Sequence, residues 1–194
     1  MFLIHIFLQI VVTLFALAST HADEGAKSLT LDGHEIPVTV EIEGKKLVRN
    51  GYAHRKATVF QKKVWLGALY LEKTQNQAEI ILKSDSLKLI DLYPLYDISA
   101  KDSERGWRQS INDNCEKNCD EFKLVIDKFM ASLGNFKVGD HYRYIFSKQG
   151  LSCWLNDKKY FESDNLAFAK LILSTWIGKE PATPQVKRDL LNRH

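Results

Sequence analysis

Few residues of this chain are of a type and spacing to do chemistry. Arg55 lies beside His54 in a strand-like segment whose neighbours are mostly neutral or apolar. A guanidinium keeps its charge when buried and binds carboxylates through paired hydrogen bonds, so an arginine there calls for an anionic partner. Trp107, Ile111 and Asn114 fall at i, i+4 and i+7 and share one helical face, which sets an aromatic ring near an amide. Cys115, Cys119 and Cys153 are the three thiols. Cys153 alternates with apolar residues and reads as a core cysteine, since no spacing supplies it with a histidine base. The Cys115-x-x-x-Cys119 spacing is neither the C-x-x-C of redox motifs nor that of a zinc knuckle, so the pair reads as packing residues, with a local bridge as the alternative. There is no G-x-S-x-G elbow, no glycine-rich phosphate loop and no H-E-x-x-H. The histidines are scattered, and we expect neither a metal nor a cofactor.

The elements that must position these residues follow from periodicity. Ser28 to Leu31 alternates weakly and turns at Asp32-Gly33; Ile36 to Ile42 and Lys46 to Asn50 form a hairpin about Glu43-Gly44. Gly51 through Arg55 to Phe60 reads as a strand, followed by a polar turn at Gln61-Lys62-Lys63. Val64 to Leu71 is apolar at both alternating sets of positions, as a strand covered on both faces requires. Thr74-Gln75-Asn76-Gln77 resembles a capping box opening a short helix with Ala78, Ile81 and Leu82 inward. Leu87 to Tyr93 is strand-like and ends at Pro94. A helix from about Ala100 carries Trp107 and Asn114, and a second buries Phe122, Val125, Ile126, Phe129, Met130 and Leu133 before Gly134. Tyr142 to Phe146 pairs with Leu151 to Leu155, and Asn156-Asp157 turns toward Tyr160-Phe161. Ser163 or Asp164 caps a helix with Leu166, Ala169, Leu173 and Trp176 inward and Gly178 at its end. Thr183-Pro184 opens the last helix. The order predicts an α+β fold, a mostly antiparallel sheet with helices on one face.

The first 22 residues read as a cleavable signal peptide. Ile4 to Ala18 is almost unbroken Leu, Ile, Val, Phe and Ala, and Thr20-x-Ala22 offers a small-x-small cleavage site before Asp23-Glu24. An uncleaved anchor is the alternative, although the run is shorter than the ~18 to 20 residues that span a bilayer. The remaining segment, 23–194, is long enough for a single domain with one sizeable core. It is expected in the periplasm or outside the cell, with no membrane span after cleavage. With 27 basic against 24 acidic residues and no basic run interleaved with aromatics, nucleic acid is not expected as a partner. Protein partners are left open.

Three stretches, Asn50-Gly51-Tyr52-Ala53-His54-Arg55, Leu66-Gly67-Ala68-Leu69-Tyr70-Leu71-Glu72 and Ser174-Thr175-Trp176-Ile177-Gly178-Lys179, resemble the chalcone isomerase superfamily in order and spacing. The likeness runs from about Gly44 to Leu191. It implies an open-faced β-sandwich, a large antiparallel sheet carrying a layer of helices, with the ligand cleft between the two. In the plant enzymes of the family a phenolate oxygen adds to an enone. An arginine stabilises the charge, a threonine and a tyrosine polarise the ketone, and an asparagine and a Ser/Thr hold the far hydroxyl. By that likeness the arginine is Arg55, the asparagine Asn114 and the Ser/Thr residue Thr175, while the threonine and tyrosine positions hold Trp65 and Trp107. Arg55, Asn114 and Thr175 are thus the candidate catalytic residues, and Arg55, Trp65, Trp107, Asn114 and Thr175 the candidate ligand-binding ones.

Losing one preorganised donor at a developing oxyanion costs about 2.7 to 4 kcal/mol of barrier, so two tryptophans at these positions argue against chalcone isomerisation itself. The leading expectation is binding of a small amphipathic or acidic ligand such as a fatty acid, with Arg55 on its carboxylate. Non-catalytic plant relatives in the superfamily bind fatty acids. The alternatives are an isomerase or intramolecular lyase on another substrate, and a protein-interaction domain in which Arg55 pairs with Asp91, Asp97 or another acid.

Overall fold

The computed structural model describes residues 28–57, 60–115 and 119–193. The expected signal peptide lies outside the described residues. Among the described residues nine strands and five helices follow one another as β1 (Leu29–Leu31), β2 (His34–Ile36), β3 (Thr39–Ile42), β4 (Lys45–Ala57), β5 (Lys62–Leu71), α1 (Ala78–Lys83), β6 (Lys88–Pro94), α2 (Ala100–Asn114), α3 (Lys123–Ala131), β7 (Tyr142–Ser147), β8 (Gly150–Leu155), β9 (Lys158–Ser163), α4 (Leu166–Ile177) and α5 (Pro184–Leu190), with a 3-10 turn over Cys119–Phe122 before α3. Strands β3 to β9 form one antiparallel sheet in sequence order, and β1 and β2 pair separately as a hairpin.

Alternation divides β5 between two cores. Trp65, Leu69 and Leu71 join the cluster that α2, α3, α4 and α5 cover, while Leu66, Ala68 and Tyr70 face the other side. There the β1–β2 hairpin supplies Ile36, Leu29 and Leu31, so part of the sheet's second face is also covered. Two polar ties hold this cover: the Arg49 guanidinium donates to the Ile36 carbonyl at 2.5 Å and the Tyr70 hydroxyl to that of Pro37 at 3.0 Å. The expected α+β sheet with helices on one face is what the chain forms.

Several boundaries differ from expectation. β4 is continuous from Lys45 to Ala57, because Asn50 bulges out of register between Arg49 and Gly51 instead of ending the strand. Asn50 is buried and clamps its surroundings: its amide donates to the Leu190 carbonyl at 2.8 Å and accepts from the Gln75 amide at 2.7 Å. Lys62 and Lys63 belong to β5 and not to a turn. Helix α1 starts at Ala78 with Gln77 as an N-cap lacking a side-chain bond, so the Thr74 capping box is not formed. Helix α4 is capped by Asn165, which accepts from the Phe168 amide at 2.9 Å, and neither Ser163 nor Asp164 is its cap. Helix α3 ends at Ala131, short of Gly134. Cys115 and Cys119 are joined in a disulfide across the α2 to 3-10 connection, the alternative left open by their spacing, and Cys153 is a free, buried thiol. Thr183 caps α5 with Pro184 in its first turn, as expected.

Candidate functional site

Between the sheet and the helix layer lies a cavity of about 350 Å³. Its floor crosses the sheet: Arg55 on β4, Val64 and Trp65 on β5, Leu92 on β6, Tyr142 and Tyr144 on β7, Leu155 on β8 and Tyr160 on β9. Trp107 of α2 and Trp176 of α4 contribute to the roof, and Thr175 reaches the wall beside Trp176.

Two β-bulges shape this floor. Arg55 pairs with Trp65 and Lys56 with Lys63, which leaves Val64 as an extra residue and turns two consecutive side chains, Val64 and Trp65, onto the cavity. At the far edge Trp154 pairs with Lys159 and Cys153 with Phe161, so Tyr160 is the extra residue of β9. It packs with Phe161 against the same helix-side core, which strict alternation would forbid.

The Arg55 guanidinium is half-buried and has neither an ion pair nor a hydrogen bond among the described residues. Burial alone pushes its pKa down from the ordinary arginine value, the mark of a charge short of solvation. The acids that could have neutralised it are engaged elsewhere. Asp91 meets His141 at 2.6 Å, Asp97 accepts from the Val138 amide at 2.7 Å, and Asp102, itself on the cavity wall, takes Arg105 at 2.5 Å and the Ser99 hydroxyl at 2.7 Å. Among the described lining residues Arg55 is the sole cation.

The walls are aromatic. Trp107 meets Phe129 and Trp176 edge to face, with ring centroids 5.1 and 5.3 Å apart, and leans on Tyr144 at 5.7 Å. Gly67 leaves room for the Trp65 indole, since a methyl group there would come within 3.1 Å of the ring. The Thr175 hydroxyl is buried and donates to the Ile172 carbonyl at 2.8 Å, which leaves it able to accept. Four of the five expected ligand-binding residues, Arg55, Trp65, Trp107 and Thr175, therefore share one cavity. Asn114 is not among its lining residues. The Asn114 amide donates to the Ser110 and Glu180 carbonyls at 3.0 and 2.5 Å and accepts from the Glu180 backbone at 3.3 Å, tying the end of α2 to the segment after α4.

Sequence reading missed the tyrosines. Tyr142 donates to the Asn135 carbonyl at 3.1 Å, and burial pushes its pKa up to about 12. Burial likewise raises Tyr144 and Tyr160 far above the usual phenol range, so both keep their protons at any ordinary pH. The i, i+2 spacing of Tyr142 and Tyr144 was a legible signal, whereas the bulge that aims Tyr160 was not. Among the described residues no cluster of three or more metal-ligating side chains is present, and no helix is long and apolar enough to cross a membrane.

A large seven-stranded antiparallel sheet, helices over one face and a ligand-sized space between the two define an open-faced α+β sandwich. The chain belongs to the chalcone isomerase-like family, whose sequence profile matches residues 28–192. Its fold is similar to that of a fatty-acid binding protein from Arabidopsis thaliana, with a TM-score of 0.70 at 13% identity over 85% of this chain and 96% of the other. No curated protein sequence matches it.

Proposed function

We propose that the protein is a binding module that holds a small amphipathic monoanion, of the fatty-acid type, in the cavity beside Arg55, without transforming it. The observation that carries this is the half-buried guanidinium of Arg55, unpaired at the wall of a space lined mainly by aromatic and aliphatic side chains. A carboxylate on Arg55 would form charge-assisted hydrogen bonds of the strong, short kind, and the alkyl body would displace water from the tryptophan and leucine surfaces. A volume of about 350 Å³ falls at the small end of ligand sites, which run from roughly 300 to 1,000 Å³. The similar fold of a plant fatty-acid binding protein supports the same reading. Against an isomerase, the wall positions where the family's enzymes carry ketone-polarising donors hold Trp65 and Trp107. Against a purely structural arginine, neither Asp91 nor Asp97 pairs with Arg55.

The binding domain is exported in this proposal, cut after Ala22, and acts in the periplasm or outside the cell. Native mass spectrometry of protein recovered from that compartment should show a co-purifying lipid and a chain beginning at Asp23. Titration of delipidated protein with lauric acid should show saturable binding that Arg55→Leu weakens at least about tenfold, the loss of one charge-assisted contact. Absence of binding to the unsubstituted protein, with no lipid in repeated preparations, would overturn the reading.

A further inference from the structure

A second cavity, of about 260 Å³, lies where the end of α4 meets α5. Four of the residues that line it are cations, Lys179, Lys187, Arg188 and Arg193, and among the described lining residues there is no acid. The two acids of this stretch lie elsewhere: Glu180 is tied to Asn114 through its backbone, and Asp189 accepts from the Gln185 amide at 2.5 Å. The cavity is separate from the one beside Arg55. Ala182 of the α4–α5 connection lines the Arg55 cavity, whereas Pro181 and Pro184 line the basic one.

The local fold brings the four charges together from three places in the chain. Lys179 follows the α4 cap at Gly178, and Lys187 of α5 reaches back to donate its ammonium to the Gly178 carbonyl at 2.6 Å. Arg188 is next on α5, and the Gln185 side chain accepts one of its guanidinium N–H groups. Arg193 is returned over the last turn of α5 by a left-handed residue, Asn192 (φ 51°), and its backbone N–H donates to the Arg188 carbonyl at 2.9 Å. Lys179, Arg188 and Arg193 are exposed, so their charged ends are open to a ligand. Lys179 and Arg193 have no ion pair and no side-chain hydrogen bond among the described residues. Like charges gathered around one small space repel one another, and an anion between them reverses the sign of that term.

We infer that this cavity is a phosphate-binding site, taking the dianionic phosphate group of a phosphomonoester or of inorganic phosphate. Two guanidinium forks match the oxygens of a tetrahedral anion bidentately, and two ammonium groups add point charge. A carboxylate, with one charge and two oxygens, uses only part of this set. The rest of the lining, Pro181, Pro184 and Leu191, contains no aromatic ring to stack a base, which favours a phosphate without one.

The test is calorimetry of the purified protein with inorganic phosphate, glycerol 3-phosphate and acetate, together with sedimentation on phosphatidylcholine vesicles with and without phosphatidic acid. One phosphate should bind per chain, acetate should bind at least about tenfold more weakly, and the joint substitution Arg188→Gln with Arg193→Gln should weaken phosphate at least about tenfold. Lys137→Gln with Lys148→Gln, which removes two exposed charges elsewhere, should change it by less than about twofold. Binding of the soluble phosphates assigns the site to a free ligand, and binding of phosphatidic acid vesicles alone, lost in the Arg188 and Arg193 variant, assigns it to a lipid headgroup. No binding in either arm, equal losses from the two pairs of substitutions, or acetate binding as well as phosphate overturns the inference. So does phosphate binding that Arg55→Leu abolishes and the Arg188 and Arg193 variant retains, since the anion would then occupy the other cavity. Should that variant fold poorly, Lys179→Gln gives the same readout at a residue whose side chain makes no hydrogen bond or ion pair among the described residues.

Discussion

At the scale of single residues, Arg55 is a charge whose environment gives it no return. It loses hydration without gaining a partner, so its removal should not harm the empty protein. Arg55→Leu is expected to leave the melting temperature of the ligand-free chain unchanged or a few degrees higher, by thermal scanning, while abolishing the upward shift that lauric acid produces in the unsubstituted protein. A ligand stabilises the native state by an amount that grows with the logarithm of its concentration over its Kd, so a weaker ligand gives a smaller shift, and both halves of that outcome come from one set of scans. A large loss of stability on substitution would instead mark Arg55 as structural. Arg55 and Trp107 stood out in the sequence from the strand and helix that carry them, whereas Trp65 and Thr175 were named only by the likeness to the chalcone isomerase superfamily. Asn114 was misleading: it shares the Trp107 face of α2, but at the last turn an amide is drawn to free backbone groups, and Glu180 supplies them.

At the scale of elements, the long strands and helices were legible and their ends were not, because ends are set by contacts with remote segments. The Asn50 bulge shows this. Its two hydrogen bonds are to Leu190 and Gln75, far away in sequence, and nothing local announces them. Asn50→Ala leaves the Leu190 carbonyl and the Gln75 amide without their partner, and should cost about 2 to 4 kcal/mol in urea unfolding at unchanged fold. The neighbouring Gly51 is packed closely under α5, where an added Cβ would sit 2.2 Å from the Asp189 carbonyl oxygen, so Gly51→Ala should displace α5 and lower stability by an amount at least comparable. Lys88 makes a pH prediction for the junction of α1 and β6. Its ammonium donates to the Ser84 and Ser86 carbonyls at 2.7 and 2.8 Å, and burial pushes its pKa down from 10.5 to about 8. Between those values the unfolded chain binds the extra proton, so stability should rise with pH from about 8 to about 9.5, before tyrosine ionisation in the unfolded chain acts the other way. Lys88→Met should flatten that rise in unfolding titrations across the interval; a slope that persists unchanged would assign it to other groups.

At the scale of the whole molecule, the helix layer must hold its place over the sheet for the cavity to exist, and a covalent tie contributes to this. The Cys115–Cys119 disulfide joins the end of α2, which brings Trp107 to the roof, to the 3-10 turn that leads into α3. The loop it closes is short, and chain entropy assigns such a loop only about 2 kcal/mol, so the bridge stabilises the roof without deciding the fold. Composition could not settle this pairing, since three cysteines leave one over and the spacing matches no redox motif. The roof geometry that brings the two together depends on where α2 ends. Disulfides persist in oxidising compartments and are kept reduced in the cytoplasm, which links the bridge to the proposed export. Alkylation with iodoacetamide separates the states. Protein taken from whole cells and medium without prior fractionation should take up no label when native, one label when unfolded without reductant, from the buried Cys153, and three when unfolded after reduction. Three labels on unfolding without reductant would show that the mature chain resides where thiols stay reduced, and the export proposal would fall with the bridge.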